Sequence, residues 1–88
     1  MVELMSASTK LTVADKLTIV RDYIAKRENT PVDRYGNIKF TDVRGKVMRY
    51  KFKKTVIRYE TKSGDRWFNI RSYSVTAAYD ALVKKELI

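Results

Sequence analysis

The segment from Lys46 to Ser72 constrains the fold more than any other part of the sequence, because apolar and polar residues alternate along it. Period-two alternation is typical of β-strands that bury one face and expose the other. One set of positions is apolar or aromatic: Met48, Tyr50, Phe52, Ile57, Tyr59, Phe68 and Ile70. The other set is mainly basic, with Trp67 and Asn69 among its members: Arg49, Lys51, Lys53, Arg58 and Arg71.

The connections between these runs are short, which predicts an antiparallel meander. Ser63-Gly64 suits a two-residue hairpin turn, since glycine accepts a positive φ. Further turns are expected at Lys53-Lys54 and over residues 44–46. In this register apolar residues face one another: Tyr50 with Ile57, Tyr59 with Phe68, Ile57 with Ile70, and Phe40 with Tyr50. Basic residues also face one another, Lys39 with Lys51 and Arg49 with Arg58, which favours an anionic partner that would neutralise them.

Two helices flank the predicted strands. Val13, Leu17, Val20 and Ile24 recur at helical spacing over 13–27, and Thr12 with Asp15 matches a capping box. A second helix is expected over 75–86 after Ser74, and strands over 38–43, 47–52, 55–62 and 65–72. The sequence thus predicts an α+β fold, a three- to four-stranded antiparallel meander with both helices packed on one face. Residues 1–88 form one domain in this interpretation, with 1–10 as a flexible lead-in.

Composition argues against several classes of function. The chain of 88 residues has no cysteine and no histidine, which removes disulfides, thiolate metal sites and the commonest general base. No phosphate-binding glycine loop and no acid pair at catalytic spacing occurs. We therefore expect no enzymatic activity, no cofactor and no metal. No apolar run approaches the length of a membrane span and no signal peptide is recognisable, so we expect a cytoplasmic protein without a membrane partner.

The strongest functional signal is charge. Nineteen Lys and Arg against 10 Asp and Glu give a net charge of +9, which favours association with polyanions. The sequence predicts a small non-catalytic nucleic-acid-binding protein, with DNA favoured over RNA. Arg and Lys would contact phosphates and Trp67 would stack on a base. The candidate binding residues are Lys39, Arg49, Lys51, Lys53, Lys54, Arg58, Trp67, Asn69 and Arg71.

Other interpretations remain open at this point. The basic run also fits a solvated face that keeps a small protein in solution, and Trp67 also fits a ring wedged at a sheet edge. The main alternative function is a protein-binding module, or an inhibitor that docks on an acidic or nucleic-acid-associated protein. An exposed sheet edge also allows pairing with another chain, including a homodimer. The size suits a phage, plasmid or viral accessory protein.

The segment RWFNIRSYSVTAAYDALV, residues 66–83, is similar in layout to the last strand and helix of two groups of DNA-binding domains. These are the sheet-reading domains of certain plant transcription factors and the arm-binding domains of phage integrases. The resemblance covers about half of the chain. It implies a sheet that enters the major groove of DNA, with Arg and Trp side chains of the strands as the contacts.

Overall fold

The structure is a computed structural model that describes residues 11–88. The element order is α-β-β-β-β-α. The elements are helix α1 (Val13–Arg27), strands β1 (Ile38–Thr41), β2 (Val47–Lys53), β3 (Val56–Ser63) and β4 (Arg66–Ser74), and helix α2 (Val75–Lys84). The α+β fold, the antiparallel meander and the two flanking helices are therefore confirmed. The expected lead-in over residues 1–10 lies outside the described residues.

Both helices begin where the sequence places a cap. The Thr12 hydroxyl accepts a hydrogen bond from the Asp15 N–H, and the Asp15 carboxylate accepts one from the Thr12 N–H. This reciprocal capping box satisfies N–H groups that the first turn of a helix leaves unpaired. At α2 the Ser74 hydroxyl accepts from the Ala77 N–H at 2.9 Å. No helix among residues 11–88 combines the length and the apolar character needed to cross a membrane.

The sheet has the strand order β1-β2-β3-β4, and every neighbouring pair is antiparallel. The predicted pairings are wrong by two residues at each connection, although the faces are mostly correct. The observed pairs are Ile38 with Tyr50, Lys39 with Arg49, Tyr50 with Tyr59, Arg49 with Glu60, Lys51 with Arg58, and Thr61 with Phe68. A two-residue shift leaves each side chain on the same face, so alternation alone does not detect it.

The turns explain these shifts. Between β1 and β2 the Asp42 carboxylate accepts hydrogen bonds from the N–H groups of Arg44 and Lys46, each at 2.9 Å. These two bonds close a five-residue loop instead of the expected three-residue turn, and they lower the pKa of Asp42. The other two connections are two-residue turns, Lys54-Thr55 between β2 and β3 and Gly64-Asp65 between β3 and β4, with Gly64 at φ +64°.

β4 contains an irregularity that the sequence interpretation missed. Its pairing with β3 shifts between Tyr59 and Glu60, so that Asn69 pairs with Glu60 but Arg71 pairs with Tyr59. Ile70 is the additional residue of a β-bulge. Beyond it, the residues of β4 exchange faces: Arg71 and Tyr73 lie on the side of the helices, and Ser72 lies on the opposite side.

The core lies between the helices and one face of the sheet, here called the helix face. Its most buried members are Val20 and Ile24 of α1, Ile38, Tyr50 and Ile57 of the sheet, and Val75 of α2. Leu17, Phe40 and Tyr59 pack against them, as predicted, and Leu82 of α2 also does. Phe68 and Ile70 were expected in the core, but they are 49% and 47% exposed. The bulge and the position of β4 at the sheet edge account for this difference.

Candidate functional site

The opposite side of the sheet, here called the open face, carries most of the predicted binding residues. Six cations share this face, namely Lys39, Arg49, Lys51, Lys53, Arg58 and Lys62. Glu60 is its single carboxylate, so six positive charges and one negative charge leave the face with a net charge of +5. Both helices pack on the other side of the sheet. A polyanion can therefore approach these cations without displacing either helix.

Glu60 lies at the centre of the open face and is the one buried charged or polar residue among residues 11–88, at 4% exposure. Its Oε1 accepts a hydrogen bond from Arg49 Nε at 2.7 Å. Its Oε2 lies 3.3 Å from Arg58 Nε, an ion pair without hydrogen-bond alignment. A buried carboxylate is costly unless it is paired, and here the guanidinium groups of Arg49 on β2 and Arg58 on β3 pair with it.

Trp67 and Arg49 form a stack beside this carboxylate. The guanidinium carbon of Arg49 lies 4.0 Å from the centroid of the Trp67 ring, well within cation–π range. The Arg49 side chain is 17% exposed, and Trp67 is also partly exposed. One surface of the indole therefore contacts the guanidinium while part of the ring remains accessible to solvent. To move away from β3 toward a ligand, the Arg49 side chain would have to break its hydrogen bond with Glu60.

The remaining cations of the open face are more accessible. Lys39 and Lys53 are exposed and Lys51 is partly exposed. Lys39 lies opposite Arg49, and Lys51 lies opposite Arg58. These like-charged neighbours repel each other, although in pairs different from those predicted. Both arginines pair with Glu60, whereas the lysines of this face form no ion pair among residues 11–88.

The other predicted site residues have different positions. Lys54 is exposed in the β2–β3 turn. Asn69 is exposed on the open face, where its Oδ1 accepts a hydrogen bond from the Ser72 hydroxyl at 3.3 Å. Arg71 was expected on the open face, but this placement is wrong because the bulge turns it toward Tyr59 on the helix face.

Sequence reasoning overlooked two residues of the open face. Lys62 pairs with Trp67 across β3 and β4 and adds a sixth cation to the open face. This pairing follows from the sequence if the predicted two-residue turn is placed at Gly64-Asp65 instead of Ser63-Gly64. Glu60 lies between Arg49 and Asn69, which the predicted pairing of Arg49 with Arg58 did not reveal.

The helix face has a polar cluster of its own around Tyr50. Arg27 Nη2 donates a hydrogen bond to the Tyr50 hydroxyl at 3.0 Å. Burial raises the pKa of Tyr50 to about 12, and the charge of Arg27 only partly opposes this increase. Burial likewise raises the pKa values of Tyr59 and Tyr73. These groups remain neutral at physiological pH and serve packing rather than proton transfer.

Within residues 11–88 no three metal-ligating His, Cys, Asp or Glu side chains come together. No protein-family model, curated protein or solved structure matches the chain. A functional proposal therefore depends on the geometry and charge of the open face.

Proposed function

We propose that this chain is a small non-catalytic protein that binds nucleic acid inside the cell through the open face of its sheet, with DNA favoured over RNA. The observation that carries the proposal is the net charge of +5 on a sheet face opposite both helices. Opposed cations at Lys39–Arg49 and Lys51–Arg58 destabilise the isolated sheet and would be neutralised by a row of phosphates.

The partly exposed Trp67 supports a nucleic acid over other polyanions. An aromatic ring among cations provides a stacking surface beside phosphate contacts, the combination by which single-strand-binding proteins hold a polynucleotide. A simple polyanion without aromatic groups, such as a sulfated polysaccharide, would use the cations and leave the indole unoccupied.

The experiment is a salt titration of binding to labelled oligonucleotides, comparing two variants of equal net charge. The first replaces Lys39, Lys51 and Lys53 by Gln. The second replaces Lys26, Lys84 and Lys85 by Gln as well, and these three lysines are exposed on or next to the helices. Each phosphate contact contributes about 0.7 to 0.9 to the slope of log affinity against log salt. The first variant should therefore lose about 2 to 3 units of slope, and the second should keep the slope of the parent.

Equal losses in the two variants would show that net charge, and not the open face, drives binding. Binding no tighter than that of an unrelated protein of the same charge would reject the proposal altogether.

The second candidate function is a protein-binding module, favoured by the exposed edge of β4. Phe68 and Ile70 are each about half exposed there, and one side of β4 has no neighbouring strand among residues 11–88. An acidic strand of a partner, or a second copy of the chain, would add to this edge by backbone hydrogen bonds. The bulge and the arginines of β4 oppose indiscriminate pairing. Tight binding to one folded partner combined with weak nucleic-acid binding at low salt would favour this candidate.

A further inference from the structure

We infer that the ligand of the open face is single-stranded nucleic acid, that one base stacks on the outer surface of Trp67, and that Glu60 is the positioning residue for this contact. The inference rests on the proposed function. It deepens that function by assigning separate roles to groups that simple charge attraction would treat alike.

The first step is the layered order of the site. Glu60 binds Arg49 at 2.7 Å, and Arg49 lies 4.0 Å below the Trp67 ring. The Glu60 side chain is 5% exposed and the Arg49 side chain is 17% exposed, and Trp67 is also partly exposed. The indole therefore rests on an arginine that a buried carboxylate holds in place. One ring surface is occupied inside the protein, and the other is available to a planar ligand.

The second step is the state of the nucleic acid. Inside a duplex, both surfaces of each base contact stacked neighbours, so no base can stack on an indole unless it first leaves the duplex at a cost of a few kcal/mol. In a single strand a base turns outward at much lower cost. Asn69 is exposed two residues along the same strand, and its amide can reach the edge of a stacked base. An indole that presents one free surface thus favours a single strand.

The third step separates the cations. Both arginines pair with Glu60 through Nε, whereas Lys39, Lys51 and Lys53 are not paired with an acid among residues 11–88. We therefore assign phosphate contacts to the lysines and a positioning role to Arg49. Charge attraction alone would assign all of these residues the same role.

Trp67 is the single tryptophan of the chain, so its fluorescence reports the contact directly. The titration uses three probes of equal length: a single strand of deoxythymidine, the same strand with abasic sites, and a duplex. We expect the single strand to quench Trp67 and to bind more tightly than the other two. The abasic strand keeps its phosphates, so it should show a similar salt slope without quenching.

Trp67→Ala should weaken binding to the single strand roughly 5- to 150-fold, the range for one stacked base, without changing the salt slope. It should leave binding to the abasic strand unchanged. Trp67→Phe, which retains an aromatic ring, should restore part of the affinity.

Glu60→Gln separates positioning from charge. This change removes a negative charge, so simple electrostatics predicts tighter binding to every strand. If Glu60 positions Arg49 and Trp67, binding to the single strand should instead weaken and quenching should decrease, while binding to the abasic strand becomes slightly tighter. Asp80→Asn, at an exposed site on α2, is the control for the same change of charge. If Glu60→Gln does not fold, Trp67→Ala alone decides the inference.

The outcomes distinguish the inference from the proposed function. Equal binding to all three probes without quenching, but with the steep salt slope of the lysines, would overturn the inference and leave the proposed function standing. Glu60→Gln that binds the single strand more tightly with unchanged quenching would overturn the role of Glu60. Failure of all probes to bind beyond a charge-matched protein would reject both.

Discussion

The two faces of the sheet come from the same strands, yet different interactions hold them together. On the helix face, Ile38 and Ile57 are fully buried in a continuous apolar core. On the open face, the buried centre is a carboxylate, Glu60, held by Arg49 and Arg58. Apolar contact is non-directional, so the helix face tolerates changes of register, whereas the cluster on the open face depends on which residue lies opposite which. Residues of the apolar core and residues of the proposed binding face therefore alternate along each strand.

The largest expected effect tests this separation at two neighbouring residues of β3. Ile57 is 0% exposed on the helix face and Val56 is 36% exposed on the open face. Ile57→Ala should lower the free energy of unfolding by about 2–5 kcal/mol, because it removes buried methyl groups and leaves a cavity. Val56→Ala, the control, should cost less than about 1 kcal/mol. Urea denaturation measures both values, and equal losses would show that the two faces are not distinct in stability.

Alkaline pH should act on the helix face through its tyrosines. The pKa of Tyr50 is raised from 10.0 to about 12 by burial, so above pH 10 the unfolded chain releases this proton before the folded chain does. The contribution of Tyr50 to the free energy of unfolding is therefore fully present below about pH 10. It is lost toward pH 12, by about 2–3 kcal/mol for a shift of this size. Denaturation curves at several pH values should show this decrease, and Tyr50→Phe should make it shallower. An unchanged pH dependence in the variant would remove Tyr50 as the cause.

The smallest effect concerns the lysines of the open face. Lys51 lies opposite Arg58, and directly opposed like charges destabilise a sheet. Lys51→Gln should therefore leave the protein equally stable or stabilise it by a few tenths of a kcal/mol at low salt, with the gain lost at high salt. Thermal denaturation at two salt concentrations measures this. A clear loss of stability would mean that Lys51 stabilises the fold and is not reserved for ligand binding.

Much of the fold could be predicted from the sequence because strong local signals agree. The capping residues Thr12 and Ser74 fixed where the helices begin, and alternation fixed which side chains of β1 to β3 share a face. The register could not be predicted, since a shift of two residues preserves the alternation and the turns decide it, as the Asp42 turn does between β1 and β2.

The bulge in β4 had a signal that was not used. Ile70 and Tyr73 are both apolar but three positions apart, so one strand cannot direct both toward the same face without an irregularity. The same irregularity moved Arg71 away from the candidate site and left Ile70, its additional residue, half exposed. The Glu60 cluster could not be predicted, because it forms only when three strands are in the correct register.

The strand order has a consequence for how quickly the chain folds. Every strand pairs with its neighbour in the sequence, so the whole sheet assembles through short loops whose closure costs little entropy. The contacts of α1 close much longer loops, as in the bond from Arg27 to Tyr50 across 23 residues. Proteins rich in local contacts fold faster than those dominated by distant ones. The sheet should therefore form in the transition state and α1 should dock later, so that truncating Ile57 slows folding whereas truncating Val20 mainly speeds unfolding.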